Sequence, residues 1–214
     1  MKTSNIIILA VFVFIIVVSI WNMLEMKDNI QERIEVRKQN LVSESIGDFR
    51  TLVVSGEIKL NILPNKENIL EYDKEDSLYF KIYYDTLFVK GTAQLNLKVN
   101  TLTTVILKDN VVASVKNWNE VRCKLQMSEQ SVFRVESMHT QYLNLITLNN
   151  NVLKINDSRI DTLDLDVNNN SVIKIKDTKL KRAIGTVKNN VVLSIPYIED
   201  WAVVKKDEAL VSMD

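Results

Sequence analysis

Twenty residues separate Val112 from Val132, and the same step leads on to Val152, Val172 and Val192. A period of this length, repeated along much of a chain, narrows the fold more than any composition does. A second ladder runs Val115, Val135, Ile155, Ile175, Ile195, and between the two lies Ala113, Phe133, Leu153, Ile173, Leu193. An earlier strand keeps the step through Val105, Leu125, Leu145 and Leu165 until Gly185 breaks it, beside Leu107, Met127, Thr147, Val167 and Val187. Apolar residues at two-residue spacing specify strands with one buried face. A unit this short cannot bury that face alone, so it must stack on copies of itself. The expectation is an all-β fold, a parallel β-solenoid (β-helix) of about 20 residues per coil. Its interior is filled by aliphatic columns, the valine ladder with Val152 among them.

The turn between the two strands repeats as well: Asn110, Gln130, Asn150, Asn170, Asn190. Asn tolerates the left-handed backbone that a tight corner needs, and stacked amides can bond along the column. Cys123 falls in an inward column with Thr103, Leu143, Leu163 and Ala183, which makes it a buried, inert thiol. As the single cysteine, it has no intramolecular disulfide partner.

Before the repeats lies an uncharged run from Ile6 to Trp21, extended by Asn22, Met23 and Leu24. Nineteen helical residues span about 28 Å, close to the thickness of a bilayer core. The run lacks an Ala-x-Ala end, so residues 1–24 read as an uncleaved membrane anchor with the bilayer as partner. Lys27, Arg33, Arg37 and Lys38 beyond it, against Lys2 before it, argue for a cytoplasmic C-terminal side. The five-residue N-terminal tail and the early Glu25 and Asp28 argue the other way. The orientation expected is N-inside, with the solenoid on the extracytoplasmic (periplasmic) side of the cell membrane. Residues 25–45 form a charged stalk with Met26, Ile30 and Ile34 at helical spacing, through which self-association is conceivable. Residues 46–200 form the solenoid, with early strands closing its first end, and residues 201–214 cap the last coil.

The stretch Phe49-Arg50-Thr51-Leu52-Val53-Val54-Ser55-Gly56-Glu57-Ile58-Lys59-Leu60-Asn61-Ile62 resembles the opening of the head GIN domain, a family provisionally described as autotransporter adhesins. Asn68-Ile69-Leu70-Glu71-Tyr72 and Asp85-Thr86-Leu87-Phe88-Val89 resemble its next two strands. The likeness covers roughly residues 46–200. Where family repeats carry Gly-Ala-Ser-like turns, this chain has Asn170-Ser171-Val172 and its equivalents. The resemblance implies a β-helical fold in a bacterial envelope; the family's molecular function is largely unassigned.

Chemistry is sparse. The 27 Lys and Arg balance 27 Asp and Glu, which argues against nucleic-acid binding. His139 is the only histidine, placed in a turn before Tyr142. There is no Gly-x-Ser-x-Gly elbow and no phosphate-binding glycine loop. The best candidate site is acidic. Asp161, Asp164 and Asp166 share a coil, and Asp164 and Asp166 point outward on one face about 7 Å apart. Such a pair could hold a hard cation or serve glycoside cleavage. Neighbouring coils bring Lys124, Asn144 and Ile184 to the column of Asp164, and no further carboxylate. Ile106, Ile146 and Ile184, with Tyr142, form an outward apolar face suited to contacts. The function expected is therefore non-enzymatic binding or scaffolding of a protein or glycan by an adhesin-like envelope solenoid, with no cofactor. The alternatives are a polysaccharide-active β-helix enzyme and a scaffold polymerising end to end.

Overall fold

The computed structural model describes residues 40–198 and 200–213, together with Ser19, Trp21, Met23, Met26 and Lys27. Among the described residues no helix is long and apolar enough to cross a membrane. Apart from Ser19 and Trp21, the anchor expected from Ile6 to Trp21 lies outside them, as does most of the stalk stripe. The chain divides after Leu41 into two units, and the second, Val42–Asp214, holds the solenoid.

The first strands are β1 (Leu41–Ser45), β2 (Thr51–Pro64), β3 (Ile69–Asp73), β4 (Ser77–Tyr83) and β5 (Thr86–Val99). Strand β1 occupies the last five residues of the segment expected to be a helical stalk. The repeats follow as strand pairs, one pair per coil: β6 (Thr104–Lys108) with β7 (Val112–Lys116), and β8 (Arg122–Ser128) with β9 (Val132–Glu136). Then come β10 (His139–Leu148) with β11 (Val152–Asn156), β12 (Arg159–Asn168) with β13 (Val172–Lys176), and β14 (Lys179–Lys188) with β15 (Val192–Ile195). Each strand pairs in parallel with the one twenty residues away, as in Leu143↔Leu163 and Leu153↔Ile173. The expected parallel solenoid of about 20 residues per coil is the fold.

Alternation along each strand decides what is inside. The columns of Phe133, Leu153 and Ile173 and of Val135, Ile155 and Ile175 are buried, as are Leu125, Leu145 and Leu165. The valine ladder is not part of this core, contrary to the sequence expectation. Val112 and Val192 are 40% and 38% exposed, and Val132, Val152 and Val172 are half-buried. Adjacent strand residues point to opposite faces, so the column of Leu153 inside puts that of Val152 outside. The inward place at the corner belongs instead to Val111, Ser131, Asn151, Ser171 and Val191, all fully buried.

Those corner residues explain how the turns close. Ser131 Oγ donates to Ser128 O at 2.8 Å, Ser171 Oγ to Asn168 O at 2.9 Å, and Asn151 Nδ2 to Leu148 O at 2.6 Å. Asn151 Oδ1 also accepts from Ser131 N at 3.0 Å, joining two coils. Short polar side chains thus satisfy carbonyls that the turn withdraws from the sheet. The expected left-handed residues are there, with φ between 53° and 67° at Asn110, Gln130, Asn150, Asn170 and Asn190. The residues before them, Asp109, Glu129, Asn149, Asn169 and Asn189, are left-handed too. The amide ladder runs on this second column: Asn189 Nδ2 donates to Asn169 Oδ1 at 3.0 Å, and Asn169 Nδ2 to Asn149 Oδ1 at 2.9 Å. Asn149 Nδ2 in turn donates to Glu129 Oε1 at 3.0 Å. Gly185 interrupts its leucine column for a steric reason. Its φ is +113°, and a Cβ there would stand 2.1 Å from Leu165 O.

The two ends are closed by different means. Strand β2 lies between β5 on one side and β6 and β7 on the other, so the chain places β5 outside β2 before crossing back to start the repeats. Strands β3 and β4 then run antiparallel to β5, which ends the parallel stack. At the other end, β16 (Asp200–Lys205) pairs in parallel with β14, and β17 (Leu210–Met213) with β15. The tail is thus one last coil, packing Trp201, Val203 and Val211 on the core.

The corrected register has a testable consequence. Leu153→Asp buries an unpaired charge and should cost about 4 kcal/mol or more, while Val152→Asp on the outer face should cost about 1 kcal/mol. Urea denaturation midpoints of the two variants decide it; equal losses would mean that the strands face the other way.

Candidate functional site

The acidic coil is not a free pair of carboxylates. Asp164 is half-buried and accepts hydrogen bonds from the Tyr142 hydroxyl and, at 3.2 Å, from Asn144 Nδ2. The bond to Asp164 is also the main reason that the Tyr142 phenol is held above its ordinary pKa, with burial adding to it. Register places Lys124, Asn144, Asp164 and Ile184 in one column, as the twenty-residue step requires. Asp166 is exposed and lies one column over, between Ile146 and Thr186. Asp161 pairs with Lys181 at 2.7 Å, and that bond, with Arg159 nearby, holds its carboxyl below the usual range. The three aspartates thus stand on one coil, but two of them are already engaged. Among the described residues no group of three His, Cys, Asp or Glu side chains is arranged to hold a metal ion.

His139 opens strand β10, where the sequence suggested a turn, and its Nδ1 lies 3.1 Å from Asn119 Oδ1. Both line an open depression of about 440 Å³ with Glu120, Arg159 and Asp161. Cys123 sits where its column predicts, 1% exposed, and burial pushes its thiol up to about 12. Ile106, Ile146, Ile184 and Tyr142 are half-buried on the outer face of their sheet.

A second arrangement escaped the sequence reading. On the opposite sheet, Arg134, Lys154 and Lys174 stand in register on β9, β11 and β13, all exposed. Parallel pairing spaces them about 4.8 Å apart. None of the three forms an ion pair with any described residue, whereas Lys116 beside them pairs with Glu136 at 2.8 Å. The signal was available, since 134, 154 and 174 step by twenty between the inward columns.

No family model matches the chain, and no curated protein does. Solved structures do match in fold. A crystal structure from Parabacteroides distasonis, provisionally named a lipid binding protein, is 10% identical, with 82% of this chain and 95% of that one covered at a TM-score of 0.54. Another from Parabacteroides merdae, provisionally named an adhesin, is 10% identical over 81% and 95%, at 0.53. The fold is one that these proteins share.

The thiol offers a direct check on the core. Raised by burial, it should resist iodoacetamide at pH 8 in the native state and react fully in 6 M guanidinium. Reaction should set in only as the pH approaches 12 or the coils open. Rapid native alkylation at pH 8 would place Cys123 at the surface.

Proposed function

We propose that this chain is a membrane-anchored, non-enzymatic envelope protein whose solenoid binds or scaffolds through the outer surface of its coils. The observation that carries this reading is the cation ladder Arg134–Lys154–Lys174, three exposed charges fixed in line by the sheet and unmatched by carboxylates. A packed, repeating surface holds its side chains in place without a cleft, which suits contact with an extended partner. Anchoring rests on the uncharged run from Ile6 to Trp21, and an extracytoplasmic solenoid on the short N-terminal tail. The likeness of residues 46–200 to the head GIN domain, and the fold shared with a protein provisionally named an adhesin, support an adhesin-like role in a cell envelope.

The glycoside-cleaving alternative needs an acid and a second carboxylate free to act on one substrate. Asp164 is instead bound by Tyr142 and Asn144. The polymerising alternative meets antiparallel strands β3 and β4 on the first end of the stack.

Two measurements test the reading. Alkaline phosphatase fused after residue 45 should be active and remain in carbonate-washed membranes; an inactive fusion beside an active cytoplasmic reporter would reverse the topology. The double variant Asp164→Asn, Asp166→Asn should keep the cellular phenotype, and its loss at unchanged abundance would favour the enzyme.

A further inference from the structure

The ladder is the middle of a longer column. Following the register outward from Arg134 gives Asn96, Asn61, Ser114, Arg134, Lys154, Lys174, Ser194 and Ser212, one residue on each of eight successive strands. Seven steps of about 4.8 Å make a straight line of about 34 Å. From Asn96 to Ser212 every side chain in it is an amide, a hydroxyl or a cation, in a chain whose acids and bases are equal in number. Beyond Asn96 the register meets Glu71 on β3, whose carboxylate accepts from Asn96 Nδ2 at 3.5 Å and pairs with Lys98. Beside it runs a second column in the same register: Gln94, Lys59, Val112, Val132, Val152, Val172, Val192 and Leu210. This is the half-exposed valine ladder, an apolar strip bordering the polar line.

At one end the two columns meet in a depression of about 200 Å³, lined by Lys59, Asn61, Gln94, Asn96, Ser114 and Arg134 among others. Ser114 Oγ donates to Asn61 Oδ1 at 3.1 Å, which joins the two strands at the floor of the column. Three like charges held about 4.8 Å apart repel, so an anion laid along them relieves a cost that the protein alone does not. A compact anion would engage one or two of them; a line engages all. Amides and hydroxyls that both donate and accept suit sugar hydroxyls, and the valines suit the C–H faces of sugar rings. A bilayer surface would favour interfacial aromatics. The exposed Tyr79, Tyr83, Tyr84 and Phe88 belong to the β4–β5 hairpin and not to this face.

We infer that the outer face of β7, β9, β11 and β13 binds a linear, carboxylate-bearing polysaccharide lying along the stacked coils. The inference rests on the proposed binding role and names its ligand class.

The test uses the full chain in neutral detergent, with polygalacturonate as probe and dextran, poly-glutamate and anionic phospholipid vesicles as comparisons. Polygalacturonate should bind, and binding should weaken as salt rises. The variant Arg134→Ser, Lys154→Ser, Lys174→Ser extends the serines already present at 114, 194 and 212. It should lose at least tenfold in affinity, with a melting temperature unchanged or higher because repulsion is removed. Removing the same charge elsewhere, by Lys124→Ser, Lys179→Ser, Lys188→Ser, should change affinity less than twofold. Equal losses in the two variants would overturn the assigned face. Equal or tighter binding of poly-glutamate or of the vesicles would overturn the ligand class. No polygalacturonate binding, in a chain still anchored and external, would overturn the inference while leaving the anchored scaffold standing; an unanchored chain that binds would do the reverse.

Discussion

Parallel pairing between coils, in a twenty-residue register from β6 to β15, is the constraint on which the rest depends. Each coil gives its backbone hydrogen bonds to its neighbours, so no coil is satisfied alone. An added or lost residue in a strand would turn its following side chains over, moving Leu153 out and Val152 in. The corners must therefore close in a fixed number of residues. Two consecutive left-handed positions do this at the corner between the paired strands of a coil, occupied by Asn, Asp, Gln and Glu, and a single one, Asn117, Ser137, Asp157 or Asp177, does it at the corner between coils. The buried Ser131, Asn151 and Ser171 then satisfy the carbonyls at the bend.

The same constraint shapes the surface. A side chain that repeats with the coil is presented as a line, whether it is apolar, amide or charged. Asn149, Asn169 and Asn189 become a hydrogen-bonded ladder because amides both donate and accept. Arg134, Lys154 and Lys174 cannot bond to one another, so the geometry that stabilises the amides leaves the cations in search of a counter-charge. In Asp164 a partner is supplied from the neighbouring coil by the Tyr142 hydroxyl and the Asn144 amide.

Much of the fold was legible because stacking writes itself into the sequence as period. The coil length, the buried Cys123 and the left-handed Asn110 column all follow from counting by twenty. Counting alone does not say which face is inside, and the valine ladder misled because β-branched residues suit the half-exposed outer face of a sheet as well as its core. The Ser131–Asn151–Ser171 column was missed because small polar residues do not announce burial. The position of β5 outside β2 was hidden, since two strands with matching patterns, Leu52-Val53-Val54 and Leu87-Phe88-Val89, can stack in either order. The cation ladder is visible in the sequence only as a period of twenty at positions 134, 154 and 174. Its lack of partners is a property of the folded surface.

The register itself can be measured by cross-linking. In a Cys123→Ala background, Lys154→Cys with Lys174→Cys places two thiols on adjacent coils, about 4.8 Å apart at Cα and within disulfide range. Lys154→Cys with Ser194→Cys places them two coils apart, at about 9.6 Å, beyond it. Mild oxidation of the full chain should link the first pair within one molecule and leave the second unlinked, as read by mass spectrometry of the digested protein. Linkage of 154 to 194, or failure of 154 to link to 174, would contradict the stacked twenty-residue coil and the surface built on it.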